Sequence, residues 1–89
     1  MHFKKNPQIV YASLDSEICL FNPERGEYLN LNSTASLIWN LIDESSTFNG
    51  IANKLKELFD MKDENYIEEL KDFIEESKKH NILIVKEEN

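Results

Sequence analysis

In the middle of the chain, the spacing of the hydrophobic residues changes from that of a strand to that of a helix. Leu29 and Leu31 alternate with other residues, which is the two-residue repeat of a strand with one covered face. From Ser33 onward the hydrophobic residues lie three and four positions apart, as on one side of a helix: Ala35, Ile38, Trp39 and Ile42. We predict a strand that leads into a helix almost without a loop. Asn32, or alternatively Asn30 or Ser33, would be the helix N-cap.

Two further strands are predicted before this junction. Gln8–Ser13 is rich in β-branched and aromatic residues, and Glu17–Asn22 alternates Ile18 and Leu20 with Cys19 and Phe21. Asp15-Ser16 favours a turn between them. The next loop contains a proline and a glycine and leads into the strand Glu27–Leu31, so the first third of the chain predicts a small antiparallel sheet.

Two helices are predicted in the second half. One covers about Phe48–Phe59, and the other follows Asp63 and ends near Lys79 or His80. The short hydrophobic run Ile82–Val85 comes after the second of these. Residues suited to helix ends stand at the predicted boundaries: Thr47, Asp63 and Asn81.

The length of 89 residues predicts a single domain, residues 1–89, with one modest core. Residues 1–7 are polar and basic without a period, so we expect them to be flexible. Residues 86–89 are expected to form a charged tail.

The composition bears on partners and location. The chain has 17 acidic and 10 basic residues, a formal net charge of -7, and such a surface repels a phosphate backbone. Cys19 is the single cysteine, so an internal disulfide is impossible, and the chain start does not resemble a signal peptide. No hydrophobic run approaches the roughly 20 residues that cross a bilayer. We expect a cytoplasmic protein without a nucleic-acid or membrane partner.

Residues that bind metals or catalyse reactions are sparse. His2 and His80 have no second histidine or cysteine at ligand spacing. Cys19 lies in a predicted strand, where a small buried hydrophobic residue is its ordinary role. Gly26 and Gly50 do not belong to a phosphate-binding loop. We therefore expect a protein that is not an enzyme and has no metal and no cofactor.

The last predicted helix carries two neighbouring stripes at helical spacing. The first is typical of a core: Tyr66, Leu70, Phe73 and Ser77. The second mixes hydrophobic residues with lysines: Ile67, Lys71, Ile74 and Lys78. This second stripe has two interpretations. It is the border of the buried face, covered by lysine stems, or it is the wall of a groove for a hydrophobic peptide that carries acidic residues.

The order of the elements predicts an α+β fold that is winged-helix-like, with a three-stranded antiparallel sheet followed by three α-helices. A chain with this order of elements and these residues resembles the PqqD family, which is named for a protein of pyrroloquinoline quinone (PQQ) biosynthesis. That family includes the recognition elements of ribosomally synthesised and post-translationally modified peptides (RiPPs). The resemblance runs from about Val10 to Val85, and its core is Leu-Asn-x-Thr-Ala-x-x-Ile-Trp at residues 31–39. Further matching residues are Gly26, Tyr28, Leu41, Thr47, Ile51, Leu55, Phe73 and Ile82-Leu83.

The resemblance implies a non-catalytic adaptor that binds the leader segment of a precursor peptide. The leader would add as a strand to the exposed edge of the third strand, in the cleft with the third helix. Carried over by position, the peptide-binding residues are Glu27, Tyr28, Leu29, Asn30, Leu31, Ile67, Leu70, Lys71, Ile74 and Lys78. Lys71 and Lys78 would pair with leader carboxylates. Leu29, Leu31 and Leu70 are equally compatible with an ordinary core position.

The implied second partner is a maturation enzyme, either a lasso-peptide leader protease or a radical S-adenosylmethionine (SAM) enzyme, and the sequence does not choose between them. Two other functions are compatible with a fold of this kind. Winged-helix DNA binding needs a basic recognition helix, whereas the third helix here is rich in acidic residues. A small dimerising structural module would use the same strand edge to form a homodimer.

Overall fold

Strands and helices follow one another as the sequence predicts, with additions at both chain ends. The computed structural model describes residues 2–43, 46–58 and 65–86. Its strands are β1 (His2–Lys5), β2 (Val10–Leu14), β3 (Glu17–Asn22), β4 (Glu27–Leu31) and β5 (Leu83–Lys86). Its helices are α1 (Ser33–Leu41), α2 (Phe48–Leu58) and α3 (Asn65–Lys79). The predicted α+β fold, a three-stranded antiparallel sheet and three helices, is confirmed, whereas its winged-helix-like character stays a prediction.

The strands β2, β3 and β4 form the predicted sheet, with β3 in the middle. β2 begins at Val10, two residues later than the predicted start at Gln8. Gly26 has a φ of 64° in the loop before β4, a conformation that glycine adopts without steric cost. The inward-facing hydrophobic residues of β3 and β4 pair across the ladder: Ile18 with Leu31 and Leu20 with Leu29.

The two ends of the described chain meet in a second sheet that the sequence did not predict. β1 pairs antiparallel with β5, and Phe3 lies opposite Val85. The amide of Phe3 also donates to the carbonyl of Ser46 at 2.8 Å, and its carbonyl accepts from the Ser46 amide at 3.0 Å. The expected flexible start is therefore wrong for His2–Lys5, and Lys86 belongs to β5, not to a tail. A four-residue strand has no measurable period, and its partner lies at the other end of the chain.

The helix ends agree with the predicted caps wherever the structure describes them. The side chain of Asn32 accepts a hydrogen bond from the Ala35 amide at 2.8 Å and caps α1. Thr47 Oγ1 accepts from the Gly50 amide at 3.0 Å at the start of α2. Asn81, with a φ of 58°, follows the end of α3 in the left-handed conformation. The predicted cap Asp63 and the last predicted residue of the second helix lie outside the described residues.

Trp39 is 2% exposed and lies in the core between the helices and the sheet. Its ring meets that of Tyr11 edge-on, with centroids 6.2 Å apart, and Lys5 Nζ lies 4.6 Å from the ring centroid. Leu55 and Leu70, from α2 and α3, are fully enclosed. The core thus joins α1 to both later helices, which fixes α3 relative to the sheet.

Candidate functional site

β4 is an edge strand, because the order of the sheet is β2-β3-β4 and no described strand pairs with its other side. At its last residue, the Ser36 hydroxyl accepts from the Ile18 amide at 2.9 Å and donates to the Leu31 carbonyl at 3.3 Å. The polar backbone groups of Ile18 and Leu31 therefore face each other. Because this direction alternates along an antiparallel ladder, the backbone N–H and C=O groups of Tyr28 and Asn30 point to the open edge.

A cleft of about 340 Å³ lies between β4 and α3. Its lining combines hydrophobic surface from the strand and the helix with three carboxylates on α3. The lining residues are Leu29, Asn30, Leu31, Asn32, Ala35, Glu69, Asp72, Phe73 and Glu76. The cleft therefore places an open backbone edge beside a hydrophobic floor and an acidic wall.

The C-terminal end of α3 is held by side chains that come from the sheet side of the molecule. Asn22 Nδ2 donates to the carbonyl of His80 at 3.2 Å, and Arg25 Nη1 donates to that of Lys79 at 3.0 Å. Asn6 Nδ2 donates to the carbonyl of Asn81 at 2.9 Å. These donors satisfy carbonyls that a helix end leaves without an intrahelical partner. They also fix the distance between α3 and the loop before β4.

His80 adds a second link between β4 and α3. Its Nε2 lies 3.3 Å from Glu76 Oε2, and its Nδ1 lies 3.6 Å from Glu27 Oε2. Glu27 is the first residue of β4, and Arg25 Nη1 lies 3.8 Å from its Oε1. These side chains thus connect the start of the strand to the last two turns of the helix.

The predicted strand residues lie at the edge as expected, but on two faces. Leu29, Asn30 and Leu31 line the cleft, and Leu31 is only 5% exposed because it also belongs to the core. Tyr28 is 73% exposed and packs against Phe21 on the outer face of the sheet. Glu27 faces His80. The role of these residues in peptide binding stays a prediction.

The predicted helix residues do not line this cleft. Leu70 is fully buried and Ile74 is 7% exposed, so the structure places both in the core, and their role in peptide binding stays a prediction. Ile67 is half-buried, and Lys71 is exposed. Lys78 lies in a separate shallow depression with other charged residues of the last turns of α3. The predicted pairing of Lys71 and Lys78 with leader carboxylates stays a prediction without support from the cleft geometry.

Helical periodicity did not identify Glu69, Asp72 and Glu76, which line the cleft, and it assigned Phe73 only to the core. The buried line through Leu70 and Ser77 has one border on each side, and helical periodicity does not say which border faces a strand. An available signal was the spacing of Glu69, Asp72 and Glu76 at three- and four-residue steps. It identifies one helix face but not its neighbour.

Within residues 2–43, 46–58 and 65–86, no three histidine, cysteine or acidic side chains are grouped so that they hold a metal ion. Cys19 is a free, partly exposed cysteine on the outer face of β3. None of the described helices is long and hydrophobic enough to span a membrane.

These features define the class of protein. It is a small α+β domain that has a three-stranded antiparallel sheet, three helices and a cleft beside the edge strand. The family model described as "Coenzyme PQQ synthesis protein D (PqqD)" matches residues 17–83. The chain therefore belongs to the PqqD family, as its resemblance predicted.

Solved structures with this fold were found as well. One is titled "TbiB1 in Complex with the TbiA(beta) Leader Peptide"; it has a TM-score of 0.79 and 22% identity, over 96% of this chain and 99% of that one. Another is titled "Lasso peptide synthetase B1 complexed with the leader peptide"; it has a TM-score of 0.75 and 21% identity, over 96% of this chain and 100% of that one. No curated protein sequence gave a significant match. At this identity the similarity establishes the shared fold.

Proposed function

We propose that this protein is a non-catalytic adaptor that binds the leader segment of a ribosomally made precursor peptide. The leader adds as an extended strand to β4, in the cleft with α3. The adaptor then presents the precursor to a maturation enzyme, a lasso-peptide leader protease or a radical SAM enzyme. Membership of the PqqD family and the leader-peptide complexes among the structures of the same fold support this proposal.

The observation that carries the proposal is the open edge of β4 beside the cleft. The backbone groups of Tyr28 and Asn30 face away from β3, where a peptide in extended conformation can hydrogen-bond to them. Main-chain hydrogen bonds give affinity with little demand on sequence, whereas side-chain pockets select the peptide. Leu29, Leu31 and Phe73 supply such a hydrophobic pocket next to the edge.

The adaptor contributes to maturation by holding the precursor close to the maturation enzyme. A bound leader keeps the adjoining core peptide near the active site of a modifying enzyme, which raises its effective concentration there. The adaptor itself needs no catalytic group for this role. Which enzyme it serves is decided by a binding assay against the enzymes encoded beside its gene.

The direct test is a titration with the leader peptide encoded by the neighbouring precursor gene. We expect saturable binding by fluorescence anisotropy. The Asn30→Pro variant removes an amide from the open edge while leaving the ladder with β3 intact, since proline is tolerated where its missing N–H faces outward. We expect it to weaken binding at least about 10-fold, because main-chain hydrogen bonds carry the affinity.

The matched control is made in the peptide, so that the protein is unchanged. N-methylation of leader residues whose amides face β4 should abolish binding, and N-methylation of the alternate residues should be tolerated. Equal tolerance at every position would exclude strand addition. A purified protein that is a tight dimer closed edge to edge, and that the leader does not dissociate, would instead favour the dimerising module.

A further inference from the structure

We infer that the extended peptide bound between β4 and α3 is cationic on its helix-facing side, with lysine or arginine residues beside Glu69, Asp72 and Glu76. This inference rests on the proposed function and specifies the chemistry of the partner. It is the opposite of the pairing predicted from Lys71 and Lys78.

The charge of the cleft is one-sided. Three of the described residues that line it are acidic, and no described lysine or arginine lines it. Glu69 and Asp72 are exposed and have no ion pair with any described side chain. Among the described basic side chains, His80 is the one near Glu76, with its Nε2 3.3 Å from Glu76 Oε2. An anionic peptide would be repelled along the whole wall, whereas a cationic one would meet free carboxylates.

The spacing of these carboxylates fits an extended chain. Asp72 and Glu76 are four residues apart on α3, which is about 6 Å along the helix axis. Alternate residues of a strand are about 6.8 Å apart and point to the same side. Two cationic residues separated by one other residue can therefore reach Asp72 and Glu76 together. The residue between them points to the outer face, beside Tyr28.

The hydrophobic floor suits the same side chains. Lysine and arginine have long hydrophobic stems that lie on hydrophobic surface while the charged group reaches a carboxylate. Phe73 stands between Asp72 and Glu76 on the helix and lines the cleft with Leu29. A cationic side chain thus uses both the floor and the wall.

The test compares the Glu69→Gln/Asp72→Asn double variant with the Glu68→Gln/Glu75→Gln double variant. Both change the net charge equally on exposed residues of α3, but Glu68 and Glu75 do not line the cleft. The probes are two synthetic decamers, one alternating lysine with valine and the other glutamate with valine. The leader peptide of the neighbouring precursor gene is titrated alongside them.

We expect the lysine decamer to bind at least about 10-fold more tightly than the glutamate decamer at about 50 mM salt. The Glu69→Gln/Asp72→Asn variant should lose about 5-fold in affinity for the lysine decamer and for the leader, and the control variant less than about 2-fold. The difference should shrink at about 500 mM salt, where exposed charges are screened.

Equal losses in the two double variants, or equal binding of the two decamers, would overturn the inference. The proposed function has a separate readout. One outcome refutes the cationic partner but agrees with the adaptor function. In it the leader binds, Asn30→Pro lowers the affinity, and Glu69→Gln/Asp72→Asn leaves the affinity unchanged. A leader that does not bind at all refutes both.

Discussion

The backbone amide of Ile18 donates a hydrogen bond to the side-chain hydroxyl of Ser36 at 2.9 Å, across the boundary between the sheet and the first helix. The same hydroxyl donates to the carbonyl of Leu31, and Ser36 is 2% exposed. A single buried side chain thus holds the middle strand, the end of the edge strand and α1 together. It fixes the backbone position of Leu31, at the end of β4, where the cleft begins.

We predict that Ser36→Ala lowers the free energy of unfolding by about 1–3 kcal/mol, because a buried amide and a buried carbonyl each lose a partner. Urea denaturation measures this loss. Ser33→Ala is the control, since Ser33 lies exposed in the first turn of the same helix and should change the stability by less than about 0.5 kcal/mol. Equal effects of the two variants would contradict the assigned role of Ser36.

Asn22 is predicted to stabilise the end of α3. It is 4% exposed, its Nδ2 donates to the carbonyl of His80, and its Oδ1 accepts from the Glu24 amide at 3.0 Å. Asn22→Ala leaves both groups unpaired and should cost about 1–3 kcal/mol in thermal or urea unfolding. Asn40→Ala, at an exposed position of α1, should be neutral within about 0.5 kcal/mol.

Hydrogen exchange gives a second readout for Asn22→Ala. Amides in the last turn of α3 should exchange faster relative to those of α1, because the helix end loses a partner from the sheet. Uniform acceleration over the whole chain would indicate only global destabilisation.

Phe3 makes the chain start part of the core. It is 2% exposed, pairs with Val85 and exchanges two backbone hydrogen bonds with Ser46. Phe3→Ala should lower the free energy of unfolding by about 3–5 kcal/mol, the range for a buried phenylalanine. His2→Ala, at the partly exposed neighbouring position, is the control, with an expected loss below about 1 kcal/mol. A Phe3 variant as stable as the wild type would mean that β1 is not held in the core.

Because Lys5 is partly buried, we predict that the stability of the protein depends on pH in the alkaline range. Burial lowers its pKa below the ordinary value of 10.5, although the contact with the Trp39 ring favours the charged form. Between the folded and unfolded pKa values the unfolded chain binds more protons, so stability rises with pH through this window. The desolvation cost of the charged form is present below the folded pKa and is lost as pH rises to about 10.5.

Lys5→Arg is the matched variant, because arginine stays charged throughout. The free energy of unfolding of the wild type minus that of Lys5→Arg should increase as the pH rises toward about 10.5, in a series of urea melts. Other titrating groups cancel in this difference. A flat difference would show that burial does not disfavour the Lys5 charge.

Local patterns predicted the elements in the middle of the chain well. The change of period after Leu31 located β4 and α1, Asn32 located the cap, and Asn81 located the end of α3. These features depend on residues a few positions apart, so the sequence contains them directly. β1 and β5 were missed because their pairing joins opposite ends of the chain.

The candidate site likewise has a part that local patterns predicted and a part that depends on long-range packing. Its strand half, Leu29 to Leu31, followed from alternation and from the family resemblance. Its helix half did not, because Leu70 and Ile74 are buried and Glu69, Asp72 and Glu76 lie on the side of α3 that faces β4.

By itself, the sequence determined the three strands of the main sheet and the three helices, and which side of each helix is hydrophobic. Only the tertiary structure decided which border of α3 faces the edge strand, and hence that the wall of the cleft is acidic. The physical reason is that the rotation of α3 about its axis is set by long-range packing and by hydrogen bonds from Asn6, Asn22 and Arg25 to its end. None of those contacts is encoded in the local period of the helix.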